Sequence, residues 1–178
     1  MTASSRPQDD DQRWSEWSRA HGPAVRGYVL AMVRRPDLAD DMTQDVFWRA
    51  WRGRQRYCEA GTARAYLLRI ADHLVCDHGR KLGREVNLSE EGWEGLEPAA
   101  GEQEPGQGLV REEAFRQLES ALASLSPPQR RVLLLRYYGD LSFAEIAAIM
   151  GCPLGTALSH CRRGLLTLRK LLVETYES

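Results

Sequence analysis

The sequence predicts an all-α protein built as two small helical domains joined by a flexible linker. Three observations predict it. Apolar residues recur at helical spacing through most of the 178 residues, with no strand-like alternation of useful length and no internal repeat. One stretch, "SEEGWEGLEPAAGEQEPGQG" (89–108), mixes Glu with Gly and Pro and has few groups to bury. Charge is also unevenly placed. The net charge is only −1, yet Ser89 to Glu113 carries eight Glu against one Arg, so the flanking blocks are basic.

The first domain is expected over 1–88. Asp10–Ala20 and Pro23–Val33 read as two helices, and "RRPD" breaks the pattern after them. The next helix runs from Asp37 to about Arg54, with Asp37 as its cap and Asp40 and Asp41 near its positive end. Leu38, Met42, Val46, Phe47, Ala50 and Trp51 are spaced for one side of it. "RYCEAGT" is a loop. Ala63 to about Lys81 is a further helix, with Tyr66, Leu67, Ile70, Ala71 and Leu74 as its buried stripe. Between Trp51 and Leu88 eight Lys/Arg face four Asp/Glu, which makes this zone basic.

The linker is expected over 89–113 and the second domain over 114–178, with helical spacing beginning near Leu109. Leu118, Leu122 and Leu125 share one helix. "SPPQRRVLLLRYY" opens the next, with Ser126 as cap and prolines in the first turn. Ser142 caps a short helix to Met150, and Glu145 three residues on completes a capping box. Gly151 suits the left-handed residue that ends this helix, and Pro153 starts the next, Leu154–Leu172. So short a connection forces a sharp crossing, the helix-turn-helix pattern. On the last helix Leu154, Leu158, Cys161, Leu165, Leu168 and Leu172 are expected to form the buried stripe. Thr156, Ser159, His160 and Arg163 then face away, flanked by Arg162 and Lys170. Hydroxyl, imidazole and guanidinium groups on an acid-free helix suit base edges and phosphates in a DNA major groove.

These motifs resemble those of the extracytoplasmic-function (ECF) sigma factors of bacterial RNA polymerase. "LSPPQRRVLLLRYYGDLSFAEIAAIMGCPLGTALSHCRRGLLTLRKLL" is similar to their region 4. "DLADDMTQDVFWRAWRGRQRY" and "ARAYLLRIADHLVCDHGRK" are similar to their region 2. The resemblance covers about residues 10–88 and 110–172, in the family's order.

The resemblance implies a transcription initiation factor that binds core polymerase, directs it to promoters and performs no bond chemistry. Asp41, Gln44, Asp45 and Arg49 would dock on the clamp helices of the β′ subunit. Arg56, Tyr57, Arg69, His73, Arg80 and Lys81 would hold the −10 element and an unstacked base. Thr156, Ser159, His160, Arg162 and Arg163 would read the −35 element, with this domain held near the flap of the β subunit. An anti-sigma factor is the implied regulator. The linker would either occupy the basic path built for RNA or act as a solvated tether.

The sequence departs from the family at named positions. The family's G-T-V-K-S-R is Gly155 to His160 here, so Leu158 and His160 replace two cations. Fewer phosphate contacts flatten the salt dependence of binding. His73 stands for the family's Asn, and Tyr66 for its Trp. Two other readings compete. A stand-alone helix-turn-helix regulator accounts for the second domain but leaves Asp41, Gln44 and Asp45 without a task. A metal-dependent enzyme or sensor would use His73, Cys76 and His78, or Cys152, His160 and Cys161, yet on a helix His78 turns away from the first pair. No metal or other cofactor is expected, and the four cysteines read as reduced thiols. The chain shows no basic-then-apolar leader and no apolar run of membrane-spanning length. A cytoplasmic protein without membrane insertion is therefore expected.

Overall fold

The computed structural model of the chain describes residues 7–54, 62–81 and 108–176, and every element among them is helical. The chain divides into two compact units, Met1–Trp93 and Glu94–Ser178. The first holds α1 (Pro7–Val33), α2 (Pro36–Arg52) and α3 (Ala63–Lys81), each packed on the other two. The second holds α4 (Gly108–Ala123), α5 (Pro127–Leu133), α6 (Phe143–Met150) and α7 (Leu154–Tyr176). The expected linker lies mostly outside the described residues, but α4 already includes 108–113.

One continuous α1 replaces the two expected helices. Pro23 lies inside it and is exposed. The ring removes one ladder hydrogen bond, and the buried run Ala24, Val25, Tyr28, Val29 and Met32 holds the helix together across that gap. The expected break at "RRPD" has a clear cause. Arg34 takes a left-handed φ of 56°, and Arg35, preceding Pro36, is extended at φ −133° and ψ 112°. Arg35 is therefore the residue that precedes α2, with Pro36 at its first position. Asp37 is not the cap; it sits in the first turn and pairs with Arg35 at 2.7 Å. That hydrogen bond, with one from the Leu38 amide, lowers its carboxyl pKa.

Ala39, Met42, Val46 and Ala50 bury the inner face of α2, while Leu38, Phe47 and Trp51 are half-buried at its edge. Trp14 of α1 meets Phe47 and Trp51 edge-on, with ring centroids 5.8 and 5.4 Å away. Arg26 of α1 reaches Asp40 of α2 at 2.6 Å. The buried face of α3 is Leu67, Leu68, Ala71, Leu74 and Val75, whereas Tyr66 and Ile70, expected in the buried stripe, are only half-buried. It also takes in Asp72. The Tyr28 hydroxyl donates to Asp72 Oδ1 at 2.6 Å, a fully buried tie between α1 and α3. Tyr28→Phe is expected to lower the stability of this unit by about 1–3 kcal/mol, the cost of stripping a donor from a buried acceptor. The described tryptophans, Trp14, Trp17, Trp48 and Trp51, all lie in this unit. Tryptophan fluorescence during denaturant unfolding of the full chain therefore isolates the loss.

In the second unit Ser126 precedes α5 with Pro127 at the first position, as expected, and Gln129 Oε1 accepts the Ser126 amide at 3.3 Å. Arg130 is 2% exposed. Its guanidinium donates to the carbonyls of Leu122, Ala123 and Leu125 at 2.8, 2.7 and 3.1 Å, closing the C-terminal end of α4. After α5 the chain widens into a single π turn, Leu134–Tyr138, with the Gly139 amide bonded to the Leu134 carbonyl at 2.8 Å. Helix α7 packs on α4, α5 and α6. Gly164 allows its approach to α5, since a Cβ there would lie 2.9 Å from Leu133 Cδ1.

Candidate functional site

The helix-turn-helix forms as its local chemistry dictates. Ser142 Oγ accepts the Glu145 amide at 3.3 Å, and Glu145 Oε2 accepts the Ser142 amide at 2.8 Å. Gly151 is left-handed at φ 63° and ψ 36°, and the Cys152 amide returns to the Ala147 carbonyl at 3.1 Å. The Pro153 carbonyl accepts the Thr156 amide at 2.9 Å, which starts α7.

The buried stripe of α7 differs from the expected one. Ala157, Cys161 and Gly164 are buried, with Leu168 half-buried, whereas Leu154, Leu158 and Leu165 are exposed. Gly164 faces inward where α5 runs close, and Ala157 and Cys161 share its side of the helix. The leucines are displaced by about one position around the helix, to the solvent side. Ser159, Arg162 and Arg163 are fully on the outer face, while Thr156 and His160 are half-buried at its edge. Ser159 Oγ donates to the Gly155 carbonyl at 2.8 Å, so its oxygen lone pairs point outward as acceptors. Burial pushes the Cys161 thiol up against the opposing pull of Arg136 and a Tyr137 hydrogen bond, which makes it a poor thiolate.

Burial first, and the Arg163 charge second, hold the His160 pKa below its ordinary 6.5. The sign follows from linkage. The unfolded chain then takes up a proton before the folded one as pH falls. The stability contributed by neutral His160 is full above about pH 6.5 and is lost as pH drops through the folded value. His160→Gln is expected to flatten that part of the second unit's stability profile, as read by hydrogen exchange of α7 between pH 7.5 and 5.

In the first unit, Asp41, Gln44 and Asp45 project from the outer face of α2. Arg49 lies beside them and pairs with Asp45 at 3.0 Å. Trp48 occupies the same face and is 54% exposed, with the Arg52 guanidinium 4.6 Å from its ring. Sequence reasoning left Trp48 out. The signal was present, because 41, 44, 45 and 48 follow the i, i+3, i+4, i+7 spacing of one helix face. Arg69, His73 and Arg80 share one exposed face of α3, with Lys81 at its end. Arg69 leans over the Tyr66 ring at 5.7 Å, and Arg80 pairs with Asp77. Arg56 and Tyr57 lie outside the described residues. No group of three or more His, Cys, Asp or Glu is placed to hold a metal among the described residues, and no described helix is long and apolar enough to cross a membrane.

A three-helix unit with a polar outer face on α2, followed by a helix-turn-helix unit, defines a sigma-70 type of protein. Residues 17–85 match the model of Sigma-70 region 2, and residues 115–168 match that of Sigma-70 region 4. The chain is 34% identical over 155 residues to the RNA polymerase sigma factor CarQ of Myxococcus xanthus, covering 86% of each. It is 32% identical over 162 residues to the ECF RNA polymerase sigma factor SigE of Mycolicibacterium smegmatis, covering 90% of this chain. It spans 62% of the length of that relative. Among solved structures, the sigma factor RpoE in complex with the anti-sigma factor NepR from Bartonella quintana has the same fold. The TM-score is 0.69 at 24% identity, over 90% of this chain and 97% of that one. CnrH in complex with the cytosolic domain of CnrY gives 0.67 at 22%, over 92% and 90%. The chain belongs to the ECF sigma factors of RNA polymerase.

Proposed function

We propose that this chain binds core RNA polymerase through the outer face of α2, directs it to promoters and assists their opening, without bond chemistry of its own. One observation carries the reading. A single chain presents a protein-docking type of face in one unit and a DNA-reading helix in the other. A stand-alone regulator needs only the second. On α2, the acceptors of Asp41, Gln44 and Asp45 surround an exposed indole, the composition of an interface hot spot. They fit a basic helix pair such as the β′ clamp helices. The basic face of α3 fits the −10 element, where phosphate contacts and stacking offset the cost of an unstacked base. The outer face of α7 fits the −35 duplex, and the second unit would rest near the β flap.

Two structural relatives are held by protein partners: RpoE by the anti-sigma factor NepR, and CnrH by the cytosolic domain of CnrY. That supports an anti-sigma partner here. The test is transcription reconstituted from purified core polymerase. Promoter-specific transcripts should appear only when the chain is added. Tight duplex binding by the chain alone, with no transcript from any candidate promoter, would favour the stand-alone regulator. Trp48→Ala is expected to weaken capture of the core by roughly tenfold or more, the scale of a hot-spot aromatic. Competition binding measures it.

A further inference from the structure

The exposed leucines of α7 are not explained by the fold. Leu158 is 43% exposed and stands one turn before Arg162, at the edge of the outer face and in the half of the helix nearest the turn. Leu154, one turn earlier, is 49% exposed. Gly155 lies beside both and has open space where a side chain would stand, so another molecule's backbone or base edge can approach closely there. An isobutyl group left in water beside Arg162 adds little to stability, and Leu165 and Leu166 further along α7 are exposed as well, at 41% and 58%. Leu154 and Leu158 are the pair nearest the turn, the end at which a groove-bound helix meets base edges.

In the major groove one base offers an apolar group to such a side chain. Thymine carries a C5 methyl; adenine, guanine and cytosine present only hydrogen-bonding atoms or bare ring carbon at the same edge. A lysine at this position can pair with phosphate or with guanine O6 and N7. A leucine can pair with neither, and the thymine methyl is the one group at the groove floor that suits it. We propose that Leu158 is a base-reading residue of α7 that selects thymine through its C5 methyl. This rests on the reading of α7 as the −35 helix and adds a base preference to it.

The experiment uses the full chain bound to core polymerase. A duplex library randomised over the −35 region is selected for binding. Each thymine of the selected element is then replaced in turn by deoxyuridine, which removes the methyl and nothing else. At one or two positions the replacement should weaken binding by roughly three- to tenfold, the scale of one buried methyl-sized group. In Leu158→Ala that sensitivity should vanish while the rest of the element is still read. The substitution is exposed and improves helix propensity, so the fold survives it. Leu158→Lys should lose the thymine preference and steepen the salt dependence by about one phosphate contact.

Four results overturn the proposal. A selected element whose binding ignores deoxyuridine, or whose sensitivity persists in Leu158→Ala, removes it while leaving the −35 reading intact. Failure to select any element in that region removes both. Loss of core capture in Leu158→Ala, with an unchanged deoxyuridine profile, places a protein surface over this leucine instead.

Discussion

The double reversal Asp41→Lys, Asp45→Lys is expected to reduce capture of core RNA polymerase by roughly a hundredfold or more. Truncating one partner of a close interfacial charge pair costs about 2–5 kcal/mol, and reversal adds like-charge repulsion. Each 1.4 kcal/mol is a factor of ten. The fold should not suffer. Asp41 is exposed, and the pair Asp45 makes with Arg49 is half in solvent, where such pairs contribute little. Co-sedimentation or surface capture of the core measures the effect, and unchanged far-ultraviolet dichroism and tryptophan fluorescence certify the first unit. Full capture by the reversed chain would remove α2 from the interface. Restoring binding with a compensating acidic substitution on the polymerase would tie these residues to a specific cation.

Arg130→Met should destabilise the second unit by about 3 kcal/mol, at the upper end of single substitutions. The methylene stem is kept, so the change isolates the guanidinium. Three carbonyls at the end of α4 lose a charged donor at once, and hydrogen bonds to charged groups are each stronger than neutral ones. The expected signature is spatial. Amide exchange should rise first at the end of α4 and the start of α5, while tryptophan fluorescence, confined to the other unit, stays unchanged. Arg131→Met serves as the control, because Arg131 is only half-buried. Equal effects at both positions would mean that general charge loss, rather than the closure of α4, sets the stability.

Local chemistry explains how much of this was legible beforehand. Three helix ends were readable to within a residue: Ser142 and Gly151 use their own side chain and φ, and at Ser126 the Gln129 side chain accepts the amide, whereas Asp37 was misplaced by two residues as a cap. What depends on a neighbour was not. Pro23 reads as a boundary because sequence alone does not show the buried run that carries α1 through it. Arg130 and Arg131 look alike in sequence, and only the position of α4 decides which one is buried. The same holds for α7. Leucine at three- and four-residue spacing reads as core, but α5 passes so close at Gly164 that an added Cβ would meet Leu133. Leu154, Leu158 and Leu165 are left outside. Asp72 escaped notice because a buried carboxylate needs a donor, and Tyr28 is 44 residues away in sequence. The polar face of α2 was legible from spacing, although its aromatic member was missed. The residues around Arg56 and Tyr57 lie outside those described.

The wide turn between Leu134 and Tyr138 is a helix that has absorbed one surplus residue. Excising a residue there would let the ladder close in ordinary fashion and leave the chain beyond it nearly in phase, because the wide turn spends one extra residue on about the same arc. Leu141 and the start of α6 would leave at much the same angle, and α7 would keep its seat. The segment is thus a place where chain length can change by one amino acid without turning the outer face of α7.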